Sequence, residues 1–169
     1  MKQFKTILIA VALTLGATSF ASAQSKVAHI ATQELIEQMP TFKSAMTQLE
    51  KLEKTYDAEI KTMVTEAQNT MKRYDAEAPT KTDEENAKRM TELQQTQQSI
   101  GAYRNNALQE LEKKRVELIK PVMEKAHKTI QEVARAKKFD YVLDSSTGSG
   151  VLMADGYDLM ADVKKALGI

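Results

Sequence analysis

The sequence of 169 residues contains no cysteine and no tryptophan, and only three prolines and six glycines. A chain without cysteine cannot form the disulfide bonds that stabilise many small secreted domains, so packing or assembly must stabilise it instead. The prolines stand at positions 40, 79 and 121, where they predict the start of a helix, a turn and a bend.

Long apolar runs are also scarce. Residues 7–15 form an apolar run that is too short to span a bilayer. Lys2 and Lys5 precede this run, and the small residues Ala21-Ser22-Ala23 follow it. This order predicts a signal peptide over residues 1–23, cleaved after Ala23, and therefore export. No later run approaches the roughly 20 apolar residues of a membrane helix, so we expect an exported, soluble protein.

Neither sign of charge dominates. Without Lys2 and Lys5 the chain has 22 basic and 23 acidic residues, which is a net charge of −1. Residues 42–78 and 82–118 each contain six basic and seven acidic side chains. A broad basic face for nucleic acid is therefore not supported.

Catalytic and metal-binding patterns are nearly absent. Glu124 and His127 have the Glu-x-x-His spacing of di-iron bundles, but no second such pair accompanies them. Residues 148–150, Gly-Ser-Gly, are not followed by the lysine and helix of a phosphate loop and are interpreted as a turn. Ser145 and Ser146 have no evident base beside them. We expect no enzyme activity, no metal and no cofactor; an exported enzyme that uses His127 is the least favoured hypothesis.

The dominant pattern is a pair of long apolar stripes with the period of an α-helix. Between them, Thr82 followed by Glu85 forms a capping box, which predicts the start of the second helix. The first stripe comprises Phe42, Met46, Leu49, Leu52, Tyr56, Ile60, Met63, Ala67, Met71, Tyr74 and Ala78. The second comprises Met90, Leu93, Ile100, Leu108, Leu111, Leu118, Val122, Ala126, Ile130 and Val133.

The stripes face each other if the chain turns near residue 80, so that the numbers of facing residues sum to about 160. This register pairs Leu49 with Leu111, Leu52 with Leu108, Ile60 with Ile100, Ala67 with Leu93, and Met71 with Met90. Val64, Tyr103 and Val116 are predicted to lie beside the stripe. The sequence thus predicts an antiparallel helical hairpin arm over residues 41–118, with its tip near residues 79–82 and a length of roughly 55 Å.

Residues 24–40 and 119–169 are predicted to form a small α/β body. Strands are expected at residues 27–30, 139–143 and 151–153, with a helix at residues 33–38 capped by Thr32 and another at residues 158–167 that ends at Gly168. Short strands with open edges require partners, which predicts a homo-oligomer. The residues expected to join the copies are Val27, Ile30, Tyr141, Leu143, Val151 and Met153.

Five segments resemble the Skp/OmpH family of periplasmic chaperones: Lys26-Val27-Ala28-His29-Ile30, Met39-Pro40-Thr41-Phe42-Lys43, Lys120-Pro121-Val122, residues 139–144 (FDYVLD) and residues 158–163 (DLMADV). The resemblance covers essentially the whole mature chain and depends on the order of these segments. One departure is Met160, which replaces the threonine that usually caps the last helix of the family, so Asp158 is left as the cap.

The resemblance implies an α+β protein in which three copies form a small trimeric barrel from their strands, with the hairpins enclosing a cavity. Its implied function is to hold unfolded outer-membrane proteins in the periplasm without ATP. The alternative from the residues is a structural coiled-coil spacer or adaptor of the cell envelope. The family also implies contact with lipopolysaccharide or the membrane surface, but the balanced charges give this little support and no such site is transferred. The residues expected to bind the unfolded clients are Tyr56, Met63, Val64, Met71, Tyr74, Met90 and Tyr103.

Overall fold

A computed structural model describes residues 25–169, and the predicted signal peptide lies outside this range. The chain runs through strand β1 (Val27–Ile30), helix α1 (Thr32–Gln38), helix α2 (Pro40–Glu77), a 3₁₀ turn (Ala78–Thr80) and helix α3 (Asp83–Ala136). Strands β2 (Tyr141–Asp144) and β3 (Tyr157–Asp158) and helix α4 (Met160–Leu167) complete it. The described residues are mostly helical and include a small sheet, which confirms the predicted helical hairpin with a strand-containing body.

The hairpin turns where the sequence indicates. Pro79 lies in the 3₁₀ turn, and the Thr82 side chain accepts a hydrogen bond from the Glu85 amide while the Glu85 side chain accepts one from the Thr82 amide. The capping box is therefore confirmed. Contacts across the middle of the hairpin, such as those of Tyr103 with Tyr56 and Glu59, agree with the predicted register of about 160.

The sheet is parallel, and β1 lies between β2 and β3. Val27 pairs with Tyr141 and His29 with Leu143 on one side, while Ala28 pairs with Tyr157 on the other. Because parallel neighbours require a long crossover, the whole hairpin serves as the connection from β1 to β2.

The prediction of a third strand at residues 151–153 is wrong. Leu152 is fully exposed and residues 151–155 are irregular, because the second edge of β1 is occupied by Tyr157–Asp158 instead. A strand needs a hydrogen-bonding partner, and apolar, branched residues alone do not provide one. Gly148 and Gly150, both with positive φ, precede this segment.

The main cluster of buried hydrophobic residues lies at the base of the hairpin. Ala28 and Ile30 of β1, with Leu35 and Ile36 of α1, pack against the last turns of α3. The α3 residues of this core are Val122, Ala126, Ile130 and Ala134, and α4 contributes Val163, preceded by Leu159. Pro121, which cannot donate an amide hydrogen bond, lies inside α3 where this core begins.

Thr32 does not cap α1 with its side chain; this prediction is wrong. Thr32 is the first residue of the helix, and its amide donates to Asp144 Oδ1 (3.2 Å), while the Gln33 amide donates to Ser146 Oγ (3.0 Å). The cap therefore comes from the end of β2, more than 100 residues away in sequence. The N-cap position of α4 is Leu159 and not Asp158, but Asp158 Oδ1 accepts a hydrogen bond from the amide of Met160, the first residue of the helix (2.8 Å). Gly168 ends α4 with φ 75°, a conformation that favours glycine.

Candidate functional site

The hairpin arm is a single layer of two helices, so its apolar stripe is only partly covered. Between residues 41 and 118 the buried side chains are Ala45, Leu49, Ile100 and Ala107. Each helix of such a pair has one helical neighbour, which leaves the flanks of a wide stripe open to solvent. These open flanks are the candidate functional site.

Two of the tyrosines predicted as binding residues connect the two helices midway along the arm. The rings of Tyr56 and Tyr103 meet edge to face, with centroids 6.2 Å apart. The Tyr103 hydroxyl donates to Glu59, and this hydrogen bond, more than any other effect, raises the pKa of Tyr103 to about 12. Tyr103 thus lies between the helices, and its predicted position beside the stripe is wrong.

Tyr74 forms a similar connection near the tip. Its hydroxyl donates to Glu92 (2.8 Å), which raises the pKa of Tyr74, and the Arg89 guanidinium lies 4.6 Å from its ring centroid. Arg89 also donates to Glu77 Oε2 at 2.7 Å. The hydroxyl groups of Tyr74 and Tyr103 are therefore engaged within the hairpin, and the side chains of both residues are only half-exposed.

The structure brings three other predicted binding residues together in an open groove of about 640 Å³, here called the distal groove. Met71 and Met90, exposed by 44% and 61%, lie on it with the half-buried Val64. Met63 is half-buried and does not line this groove. The distal groove is lined by Val64, Ala67, Gln68, Met71, Asp75, Met90, Leu93, Gln94, Gln97, Ile100, Gly101 and Arg104.

A second groove, nearer the body, was missed by the sequence analysis. It consists of two cavities of about 540 and 370 Å³ that share Glu53, Leu108 and Leu111, and it is here called the proximal groove. It is lined by Met46, Thr47, Leu49, Glu50, Glu53, Tyr56, Asp57, Ile60, Arg104, Ala107, Leu108, Leu111, Glu112 and Arg115.

Leu108 is 65% exposed, although it was predicted to pair with Leu52 between the helices. The preceding Ala107 takes the buried position, seven residues after Ile100, and Ala45 is buried beside the exposed Met46 in the same way. Alanine allows the two backbones to approach closely, which leaves the larger neighbour on the flank. The seven-residue spacing of Ile100 and Ala107 was the signal in the sequence that could have revealed this arrangement.

The outer face of the sheet is a separate apolar surface. Val27, Tyr141 and Leu143 are exposed there and adjacent in the strand register, around the half-buried His29. Ile30 points to the opposite face and is only 1% exposed, so it belongs to the core of the subunit itself. Val151 and Met153 lie in the irregular segment before β3.

A smaller apolar patch lies on α3 near the body and includes Val116, Ile119 and Met123. His127 and Glu124 border it, and Glu124 Oε1 lies 3.9 Å from Lys120 Nζ. Within residues 25–169 there is no cluster of three or more metal-ligating side chains. In the same range, none of the helices combines the length and apolar character required to cross a bilayer.

Comparison with known proteins gives a consistent result. The model of the family described as outer membrane protein (OmpH-like) matches residues 26–167. A crystal structure from Caulobacter crescentus CB15, named as an OmpH-like outer membrane chaperone, superposes with a TM-score of 0.76 at 20% identity and covers 87% of this chain and 86% of that one. No match is found among curated proteins. At this identity the structural likeness indicates the fold alone.

Proposed function

We propose that this chain, which belongs to the family of OmpH-like outer membrane proteins, is a chaperone that holds unfolded outer-membrane proteins without ATP. The similar Caulobacter structure carries the name of an outer membrane chaperone, which supports this role. The observation that carries the proposal is the apolar surface left open along the arm, on which Met46, Met71, Met90 and Leu108 are all exposed by more than 40%.

Such a surface suits clients of many sequences. Apolar burial is non-directional, and methionine side chains adapt their shape to different partners. Burying one such side chain contributes about 1.5–3 kcal/mol at most, before the cost of ordering the bound chain is subtracted. A client would therefore be held by several weak contacts, and its release would not need nucleotide hydrolysis.

We further propose that the protein acts in the periplasm as a homotrimer after removal of residues 1–23. The sheet has two open edges, β2 and β3, and its outer face exposes Val27, Tyr141 and Leu143. Joining the sheets of three copies into a closed barrel would cover this face and remove the open edges. Val151 and Met153 are candidates for the rim of this contact, whereas Ile30 is not, because it is already buried.

The oligomer can be tested with Tyr141→Asp, which places a charge on the proposed contact face. We expect the wild type to sediment as a trimer and the variant to dissociate, because burying an unpaired carboxylate is costly. Ala102→Asp is the matched control, since Ala102 lies on the arm and is exposed. A wild-type monomer, or a variant that remains a trimer, would contradict this assembly.

The chaperone function can be tested by diluting an unfolded β-barrel membrane protein from urea and following light scattering without nucleotide. We expect the mature protein to suppress aggregation at a small molar excess of trimer. The variant Met71→Ser/Met90→Ser/Leu108→Ser should require several-fold more protein, whereas changing Gln48, Thr62 and Gln98 to alanine, all exposed on the arm, should have little effect. Failure of the wild type to suppress aggregation would exclude the proposal and favour a structural spacer.

A further inference from the structure

We infer that the proximal groove selects extended client segments in which an apolar side chain lies beside lysine or arginine. This inference rests on the proposed function and specifies the chemistry of the segments that one part of the arm binds. Three features of the proximal groove support it: an apolar centre, an acidic wall and a length that fits a short extended peptide.

The centre of the proximal groove is apolar and accessible. Leu108 and Leu111 belong to both of its cavities, so the two cavities adjoin at these side chains. Leu108 is exposed by 65% although it is a large apolar residue. Met46, which lies nearer the body, is also exposed. An apolar side chain of a bound segment would cover Leu108 and remove both surfaces from water.

The α2 wall of the proximal groove is acidic. Glu50, Glu53 and Asp57 follow one another along α2, while the α3 wall carries Glu112 between Arg104 and Arg115. The lining thus contains four carboxylates and two guanidinium groups, a net charge of −2.

Some of these charges are already paired. Glu50 Oε1 lies 2.7 Å from Lys54 Nζ, and this hydrogen bond is the main reason that the pKa of Glu50 is lowered. Glu112 Oε2 lies 4.0 Å from Arg115 Nη1. Among the described residues, no ion pair within 4.0 Å involves Glu53 or Asp57. These two carboxylates flank the Leu108 region and remain available for a cation of the bound segment.

The distal groove differs in this respect. Its lining includes one acidic residue, Asp75, one basic residue, Arg104, and the three amides of Gln68, Gln94 and Gln97. A neutral groove and an acidic groove on the same arm would therefore accept different parts of one client, and only the proximal groove would discriminate by charge.

The length of the proximal groove fits an extended peptide. From Met46 to Ile60 the α2 wall covers 14 residue steps, which correspond to roughly 21 Å at about 1.5 Å per residue. An extended chain rises about 3.3 Å per residue, so about six residues would occupy the groove. In such a segment, side chains at alternate positions face the same side, and an apolar residue and a lysine two residues apart can both face the wall.

The test compares two blocked eight-residue peptides of alternating leucine and serine, in which two of the four leucines are replaced either by lysine or by glutamate, so that the charged side chain and a remaining leucine face the same side. Binding to the full mature protein is measured by fluorescence anisotropy with an uncharged dye. We expect the lysine peptide to bind about fivefold or more tightly than the glutamate peptide at low salt. The difference should shrink at 0.5 M salt because exposed charges are screened.

The variant Glu53→Lys/Asp57→Lys should remove or reverse this preference. The matched control, Glu66→Lys/Glu110→Lys, has the same change in net charge on exposed residues that do not line either groove, and it should keep the preference. Equal binding of both peptides by the wild type, or equal effects of the two variants, would overturn the inference. If the wild type still suppressed aggregation in that case, the proposed chaperone function would remain.

A second copy of the chain is the other candidate occupant of the proximal groove. Because the protein has no cysteine, Leu108→Cys introduces a unique thiol whose alkylation rate reports access to the groove. We expect rapid alkylation in the free protein and slower alkylation with the lysine peptide bound. A thiol that is protected without peptide and becomes reactive only on dilution would assign the groove to a contact between copies and overturn the inference.

Discussion

Replacing Asp144 by alanine should destabilise the body, because this side chain holds the start of α1 from the far end of β2. Asp144 Oδ1 accepts hydrogen bonds from the Thr32 amide (3.2 Å), the Ser146 amide (2.9 Å) and Ser146 Oγ (2.6 Å). Ser146 Oγ in turn accepts from the Gln33 amide at 3.0 Å. Two of the free amides of the first turn of α1 are thus satisfied by residues outside the helix.

The magnitude follows from this geometry. Loss of a helix cap costs roughly 0.5–2 kcal/mol, and Asp144→Ala removes one cap directly while releasing the serine that provides the other. We therefore expect a loss of about 1–2 kcal/mol in the free energy of unfolding. The loss should affect the whole body, because α1 contributes the buried Leu35 and Ile36 to the core.

The assay is urea unfolding followed by circular dichroism at one protein concentration, because the stability of an oligomer depends on concentration. Asp155→Ala, a change in the exposed loop before β3, is the control and should cost less than about 0.5 kcal/mol. Asp144→Ala/Ser146→Ala should cost clearly less than the sum of the two single changes, because the two residues act together. Additive effects, or a loss no larger than that of the control, would refute the coupled cap.

The same contacts predict a pH dependence. Burial raises the pKa of Asp144, but the hydrogen bonds from Ser146 and Thr32 together outweigh it and leave the pKa below its ordinary value. A carboxyl group whose pKa is lowered by folding contributes stability above its unfolded pKa, about 3.9, and loses that contribution as the pH falls through the folded pKa. The difference in the free energy of unfolding between wild type and Asp144→Asn should therefore be largest at pH 6 and become smaller as the pH is lowered below 4.

Three further predictions concern single contacts. Tyr103→Phe removes the hydrogen bond to Glu59, and absorbance titration should lose a tyrosine that ionises near pH 12 rather than near 10. Leu159→Ala, at a fully buried side chain, should cost about 2–5 kcal/mol in urea unfolding, whereas Leu152→Ala, at a fully exposed one, should be nearly neutral. The pKa of Asp162 is lowered, chiefly by the hydrogen bond from Lys137. Asp162→Asn should therefore have a smaller free energy of unfolding than the wild type at pH 6, and this difference should disappear as the pH falls below 4.

The long elements were predictable because their signals are local and repeated. Eleven apolar or small residues define the first stripe, and the capping box at Thr82 and Glu85 fixes the start of the second helix within one residue. The register followed from these two facts and the turn at Pro79. The core at the base was predictable for the same reason, since α3 carries its stripe beyond Pro121 to Val133.

The errors occurred where the outcome depends on distant partners. Nothing near Thr32 indicates that Asp144 and Ser146 will cap α1, because this depends on the pairing of β1 with β2. Likewise, Val151 to Met153 have the composition of a strand, but Tyr157 and Asp158 occupy the edge of β1. Strand position is decided by competition for an edge, and a single sequence does not contain the result of that competition.

The arm shows how its geometry leads to its candidate function. A helix in a pair buries one side of its stripe, so a stripe wider than the contact must leave apolar side chains on the flanks. At Ala45–Met46 and Ala107–Leu108 the small residue is buried and the large one is exposed, which narrows the contact and widens the open surface. Both pairs therefore add to the open apolar surface on which the proposed binding of clients rests.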